Sequence, residues 1–489
     1  MSAVEPRALL YPKTSPSPDN SNAAPTGTRP LTRRALFGRA LIGAQVVLLA
    51  ACGGGDENEE EQPRAAPTAP QASLPKPAGE PTTLTLASML VSFAPVIDKA
   101  VDEWNRGEFP GASEDIQLER LTIQISSRGG PEETTEHIQE RAQTFLAERE
   151  SAGTPLDLLI VNRLFDFPWA FRSGILQPLD RLLQQDGNDP SARFMPSALE
   201  LTRFRGQMMA LPVSLGAGVT RYNPKHFEDA GLPVPDNGWT REEFIAAALR
   251  LTQDTDNDGK IDSWGFRPIW NFVNWLPFVM QELDRDVVDV NTGEVRLLDP
   301  AALRGLQFWH ELGNKHGIMP HGADVTADLF RFPFWNRHPS TFFYYFATPS
   351  STATGKQAPL PAGPRDVSPL MLGACLAIPA GARDTAKSYE ALAPLALYLG
   401  EHFLLPTVIS GQEFIENPTS GYIELLLPEH ERQLALWLLQ TGRPSHLASS
   451  ATMLFQLFEQ FSIPLARGEV AVEQAAQEAQ NWLQAYLNR

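Results

Sequence analysis

The residues best spaced for chemistry are Asp254-Thr255-Asp256-Asn257-Asp258-Gly259-Lys260-Ile261-Asp262. Oxygen-bearing side chains stand at the first, third and fifth places, Gly at the sixth, a backbone carbonyl at the seventh and Asp at the ninth. That is the opening order of a calcium loop. The twelfth place, where a bidentate Glu belongs, holds Gly265, and no second helix is expected after the loop. Two readings stand: a weak structural calcium site on Asp254, Asp256, Asp258 and Asp262, and an acidic, Gly-turned loop closing the helix before it. His310-Glu311 and His316 look like a fragment of a zinc-protease motif, but the two His are six residues apart rather than the four that place both on one helix face. A surface helix accounts for them. The chain holds no GxSxG, no phosphate loop ending GK[ST] and no GxGxxG. Carboxylates are plentiful, yet nothing in the sequence pairs two of them as a glycosidase would. Cys375, in LGACLAIP, reads as a small buried hydrophobe rather than a nucleophile. The expectation is a protein that is not an enzyme and requires no cofactor, with structural calcium as the one ion it admits.

The chain has 489 residues, 43% hydrophobic and 20% charged, enough for two lobes with a substantial core. Its net charge of −18 leaves no positive footprint for nucleic acid. The first 52 residues read as an address: Thr32-Arg33-Arg34-Ala35-Leu36-Phe37 matches a twin-arginine export signal, and Leu41 to Ala51 is too short an apolar stretch to remain as a spanning helix. That stretch ends Leu49-Ala50-Ala51-Cys52, which resembles a bacterial lipobox, with Cys52 as the lipid anchor. Residues 53–81, rich in Gly, then Asp/Glu, then Pro and Ala, read as a disordered tether.

The elements that must position any site begin at Thr82. Thr83 to Met89 and Ile116 to Ile125 alternate as strands, and Leu156 to Val161 is an apolar run suited to a buried parallel strand. Helical stripes at Val96 to Trp104 and Glu132 to Glu150 separate them, and a third helix runs from Leu164 to Ser173, giving a β-α-β-α-β rhythm. Arg205-Gly206-Gln207 signals a turn. Met208 to Val213 and Ala217 to Tyr222 read as two strands with a Gly-rich break between them. Asn223-Pro224 opens a short helix that Gly231 stops. Thr240 with Glu243 reads as a capping box, and Phe244, Ala247, Ala248 and Leu251 form the apolar stripe of the helix it starts. Leu298-Asp299-Pro300 begins a helix through Leu312, Leu372 to Arg383 reads as a strand and loop, and the chain closes helically.

In that order the segments "RYNPKHFEDAGL", "GWTREEFIAAALRLT" and "DTDNDGKIDSWGF" resemble the middle of the family 1 extracellular solute-binding proteins, the substrate-capturing subunits of bacterial ABC importers. "PLDLLIVNRLFDFPWAFRSGILQPLDRLL", "LLDPAALRGLQFWHELGNKHGIMP" and "ARGEVAVEQAAQEAQNWLQAYL" extend the resemblance toward both ends; "FRFPFWNRHPSTFFYYFATPSS" departs from it. The resemblance implies an α/β, two-lobed periplasmic-binding-protein fold of class II type. Each lobe would be a doubly wound sheet with helices on both faces, joined by a hinge. Lobe 1 would hold 82–214 and 370–410; lobe 2 would hold 215–369 and 411–489. It also implies carbohydrate captured between the lobes and passed to a membrane ABC permease, by a monomer lipid-anchored outside the cytoplasmic membrane. The alternatives are an exported glycan-acting enzyme on a similar scaffold, and a binding protein for a non-sugar solute or a sensor.

Ligands of open α/β lobes sit outside the carboxyl ends of strands. Sugars offer flat C–H faces to indole rings and hydroxyls to forked polar groups. The substrate-binding candidates are therefore Asn162 and Asp166 after the third strand, Ser214 at the expected lobe crossing, Trp270 and Asn271 after the "GF" pair, and Trp335 and Tyr344 in the divergent segment.

Overall fold

The computed structural model describes residues 81–88, 94–123, 135–162, 166–236, 238–266, 274–322, 343–346, 356–402, 405–411 and 429–489. The export signal, Cys52 and the tether up to residue 80 lie outside these residues, as do Trp270, Asn271 and Trp335.

Strand β1 (Thr82–Ser88) buries Leu84 to Ser88 and lies between β2 (Ile116–Thr122) and β3 (Leu158–Asn162), parallel to both. Helix α1 (Ala94–Asn105) turns Val96, Ile97, Ala100, Val101 and Trp104 inward, and α2 (Thr135–Ser151) follows β2, so the expected β-α-β-α-β unit is present. Every residue of β3 is buried, because it is an interior strand, parallel to β1 and antiparallel to residues 374–377, with a core on each face. Leu158 and Ile160 enter the apolar core around α1, while Leu159 and Val161 enter a second core. The start of this strand is tied down by Asp157. Its fully buried carboxylate accepts from Thr85 N–H at 2.8 Å and from Arg383, whose guanidinium also donates to Thr83 O at 3.0 Å.

Three short helices come next, α3 (Phe167–Arg172), α4 (Asp180–Asp186) and α5 (Pro196–Glu200). The hairpin of β4 (Arg203–Phe204) and β5 (Gln207–Met208) turns at Arg205-Gly206, both with positive φ, where the turn signal stood. The two strands expected on either side of a Gly-rich break are one, β6 (Leu211–Tyr222), with every residue buried. Gly216, the glycine of that break, pairs with Met371, and Gly218 beyond it does not end the strand. A Cβ at that position would sit 3.0 Å from Pro369, and Ser368 Oγ donates to Gly218 O at 2.5 Å, so glycine admits the neighbouring strand.

Beyond β6 the local signals hold. Helix α6 (Pro224–Ala230) is capped by Asn223 and ends at Gly231, and α7 (Arg241–Leu251) carries the Thr240/Glu243 capping box and buries Phe244, Ala247, Ala248 and Leu251. Next are α8 (Leu276–Leu283), the hairpin β7 (Val288–Asp289) and β8 (Glu294–Val295), and α9 (Pro300–Asn314) capped by Asp299. Strands β9 (Phe343–Phe346), β10 (Lys356–Ala358) and β11 (Ser368–Ala377) precede α10 (Thr385–His402). The chain closes with α11 (Glu429–Thr441), β12 (Gly442–Pro444), α12 (His446–Ser449), α13 (Ala451–Leu457), a π-helical turn, α14 (Ile463–Ala466) and α15 (Val472–Leu487).

One mixed sheet runs β10-β6-β11-β3-β1-β2, with β9 added on β6 and β12 on β11. Strands β6 and β11 hold it together. The far end of β11 (374–377) pairs with β3, and its near end (368–370) pairs with β12. Residues 211–217 of β6 pair antiparallel with 370–376 of β11, with a register shift around Gly373, and the rest of β6 pairs with β9 and β10.

Candidate functional site

The irregularity between β6 and β11 brings two of the candidate residues to one level of the sheet. Ala374 faces Asn162 on one side and Ser214 on the other. Asn162, the last residue of β3, and Ser214, in the middle of β6, are both buried. A Cβ at Gly373 would meet Ser214 Oγ at 2.5 Å, so the bulge closes against that hydroxyl. A third stretch crosses at the same place: Leu215 N–H donates to Leu405 O, and Thr407 Oγ1 donates to Pro212 O at 3.0 Å.

Tyr344 lies in β9, opposite Thr220 of β6. Thr220, Arg221 and Gln357 are buried polar residues on β6 and β10, with Gln357 paired to Arg221. Sequence reasoning passed over all three. The signal was there, an Arg inside an apolar β run, but nothing local distinguished it from a strand end turning to solvent. Asn274 and Trp275, just after the undescribed 267–273, are buried, and Trp275 Nε1 donates to Ser462 Oγ at 3.0 Å.

Asp166 stands differently. It is the N-cap residue of α3, with φ of 60°, and it is fully buried. Its Oδ1 accepts from Ser450 Oγ and from Thr452 N–H at 3.3 Å, and its Oδ2 accepts from the Tyr486 hydroxyl. Both oxygens are thus occupied by protein donors. Burial pushes this carboxyl above its ordinary pKa, and the bonds from Ser450, Tyr486 and Thr452, together with the Arg172 charge, pull against that.

The acidic loop is closed by an antiparallel bridge between Gln253 and Ser263. Carboxylate oxygens of Asp254, Asp256 and Asp262 lie within 4.8 Å of one another. Asp258 is not in this group; it accepts from Lys260 N–H at 2.8 Å. Asp262 Oδ2 accepts from Thr255 N–H and Oγ1, both at 2.6 Å, and Asp254 Oδ2 accepts from Gly259 N–H at 2.8 Å. Asp254 Oδ1 is buried with no hydrogen-bond partner among the described residues.

Comparison with solved structures establishes the architecture as the two-lobed binding-protein fold. A cyclic α-maltosyl-1,6-maltose binding protein from Arthrobacter globiformis matches with a TM-score of 0.61 at 15% identity, over 83% of this chain and 99% of that one. An ABC substrate-binding protein from Listeria monocytogenes in complex with cycloalternan matches at 0.59 and 16%, over 84% and 100%. Maltose-bound MalE3 from T. maritima matches at 0.55 and 18%, over 83% and 99%. The sequence itself goes further. The family of bacterial extracellular solute-binding proteins matches residues 138–387, just over half of the chain, and this chain belongs to it.

Proposed function

We propose that the protein captures a carbohydrate between two lobes and delivers it to an ABC permease. The observation that carries this reading is the family match together with the saccharides named in binding proteins of the same fold. The lobes would divide as 82–214 with 370–410, and 215–369 with 411–489. The hinge would lie where β6, β11 and the 405–408 stretch run side by side. Long strands crossing together are what a hinge closure needs: a few residues bend while each lobe stays rigid. Asn162 and Ser214 would line the floor, with Trp270, Asn271, Trp335 and Tyr344 supplying walls and stacking faces. The protein acts by binding rather than catalysis. It is held outside the cytoplasmic membrane by lipid on Cys52, and among the described residues no helix is long and apolar enough to cross a membrane.

A second, structural reading concerns the acidic loop: it holds calcium weakly. Three clustered carboxylates and the partnerless Asp254 Oδ1 support it, because a hard cation takes such oxygens. Gly265 at the twelfth place is why the site would be weak.

The test of the main reading is calorimetric titration of the purified protein over maltose, maltotriose, a cyclic maltosyl tetrasaccharide and mannobiose, with product analysis. At least one should bind without being cleaved. Trp270→Ala should weaken it roughly thirtyfold, as loss of an anchoring aromatic costs on the order of 2 kcal/mol. Cleavage of the sugar would overturn the binding reading in favour of an enzyme. No binding by any saccharide would overturn the carbohydrate part.

A further inference from the structure

The carboxylate after the strand that ends at Asn162 does a job other than touching solute. Asp166 collects three donors from the far end of the chain. Ser450 Oγ and Thr452 N–H come from the start of α13, and the Tyr486 hydroxyl comes from the last turn of α15. Arg172, at the end of α3, donates to Tyr486 O at 2.8 Å, and its guanidinium lies 4.4 Å above the Tyr486 ring. Gln139 of α2 reaches Thr452 Oγ1 at 3.4 Å. Every bond in this set runs from the segment 139–172 to the segment 450–486. Resting on the lobe division proposed above, each also runs from lobe 1 to lobe 2.

We infer that Asp166, with Ser450, Thr452 and Tyr486, is a clasp that sets the resting angle between the lobes and holds the β3 end, with Asn162, in place for solute. Asp166 is therefore a positioning residue. Two features fit that role better than simple packing. Its φ of 60° is one of four positive values among described non-glycine residues. A backbone held in a sparsely populated region persists only where its surroundings over-determine it. The carboxyl also has no solvent contact, so its bonds are not exchanged for water unless the clasp opens. Asp166 sits only four residues beyond Asn162, so a shift at the clasp reaches the strand end directly.

The amide of Asp166→Asn can still accept from Ser450 and Thr452 through its oxygen. Its NH₂ can donate to the Tyr486 oxygen, since a phenol both donates and accepts. That variant should preserve the clasp, whereas Asp166→Ala and Tyr486→Phe should open it. The readouts need no ligand. Spin labels are placed at Lys99→Cys and Lys225→Cys, exposed positions assigned to lobe 1 and lobe 2, in full-length protein carrying Cys52→Ser; native Cys375 is buried. Backbone hydrogen exchange is followed in peptides covering 158–172 and 450–457, with 241–251 as the reference.

Tyr486→Phe should speed exchange in the first two peptides roughly tenfold or more, the loss of one hydrogen bond to a carboxylate, and leave the reference unchanged. It should also lengthen and broaden the inter-label distance. Asp166→Asn should restore both to the parent values. Faster exchange with an unchanged distance would overturn the clasp and leave Asp166 a local packing residue, as would an Asn variant that behaves like Ala. If Asp166→Ala does not fold, Tyr486→Phe and Ser450→Ala carry the same two outcomes. The saccharide titration stands apart: a sugar panel that never binds overturns the carbohydrate reading without touching the distance result.

Discussion

His446 gives the most quantitative forecast. It opens α12 and is 6% exposed, and its Nε2 is buried without a hydrogen-bond partner among the described residues. Burial pushes its pKa down to about 4, against the pull of the Asp289 charge and the Glu200 backbone. The unfolded chain titrates this His near 6.5, so acidification protonates the unfolded state first. Stability from neutral His446 is whole above pH 6.5, falls as the pH drops, and is gone below about 4. The interval of 6.5 to about 4 is near 2.5 units, and at 1.36 kcal/mol per unit the loss is about 3 kcal/mol. Asp286 acts in the opposite sense. It caps the same helix, accepting from His446 N–H at 2.7 Å and Ser445 Oγ at 2.9 Å, and burial raises its carboxyl to about 7. Its folded pKa lies above the unfolded one, so its contribution is whole below pH 3.8 and lost as the pH rises to about 7. The two slopes oppose one another across the same window, and the parent protein should show a shallow profile. His446→Gln removes one of them. Urea unfolding at pH 7.5, 6.5, 5.5 and 4.5 should show the variant gaining about 3 kcal/mol on the parent from the highest pH to the lowest. Parallel curves for the two proteins would refute the reasoning, because they would mean that His446 titrates alike folded and unfolded.

Arg383→Ala should destabilise the protein by about 3 kcal/mol, because it leaves the fully buried Asp157 carboxylate without its cation; adding Asp157→Asn should recover part of that in urea midpoints. Millimolar calcium should raise the melting temperature by a few degrees through mass action, chelator should reverse it, and Asp254→Asn should abolish it; a melting temperature indifferent to calcium would end the calcium reading. Cys52→Ala should yield unacylated protein that leaves the membrane fraction, and a variant still acylated would show that the lipid sits elsewhere.

What was legible in the sequence was local. The Thr240/Glu243 box, the Asn223 and Asp299 caps and the buried stripe of α7 involve residues no more than a few positions apart, and all stand where the pattern put them. The β-α-β-α-β start was legible for the same reason, since periodicity reports burial directly. The break assigned between Val213 and Ala217 failed on a non-local fact: Gly216 read as punctuation, but it pairs with Met371 of β11, some 150 positions later, and the strand runs on through it.

The same limit decides the site. The rule that ligands gather at strand ends brought Asn162 forward, the expected lobe crossing brought Ser214 forward, and β11 sets the two on either side of Ala374. It brought Asp166 forward with equal force, because the rule sees a carboxylate after a strand and not what faces it. Its partners lie 284 to 320 residues further on. Nothing in LASSATM or NWLQAYLNR marks Ser450 or Tyr486 as donors to a strand end near the start of the chain. The asymmetry has a physical origin. Capping and amphipathicity are settled within one turn of helix, whereas satisfying a buried carboxylate depends on which distant segment the topology delivers to it. The β6–β11 pairing and the C-terminal helices deliver that segment here. In this chain the closing segment takes both oxygens of Asp166, so a place just after β3 does not by itself make this acid a solute ligand.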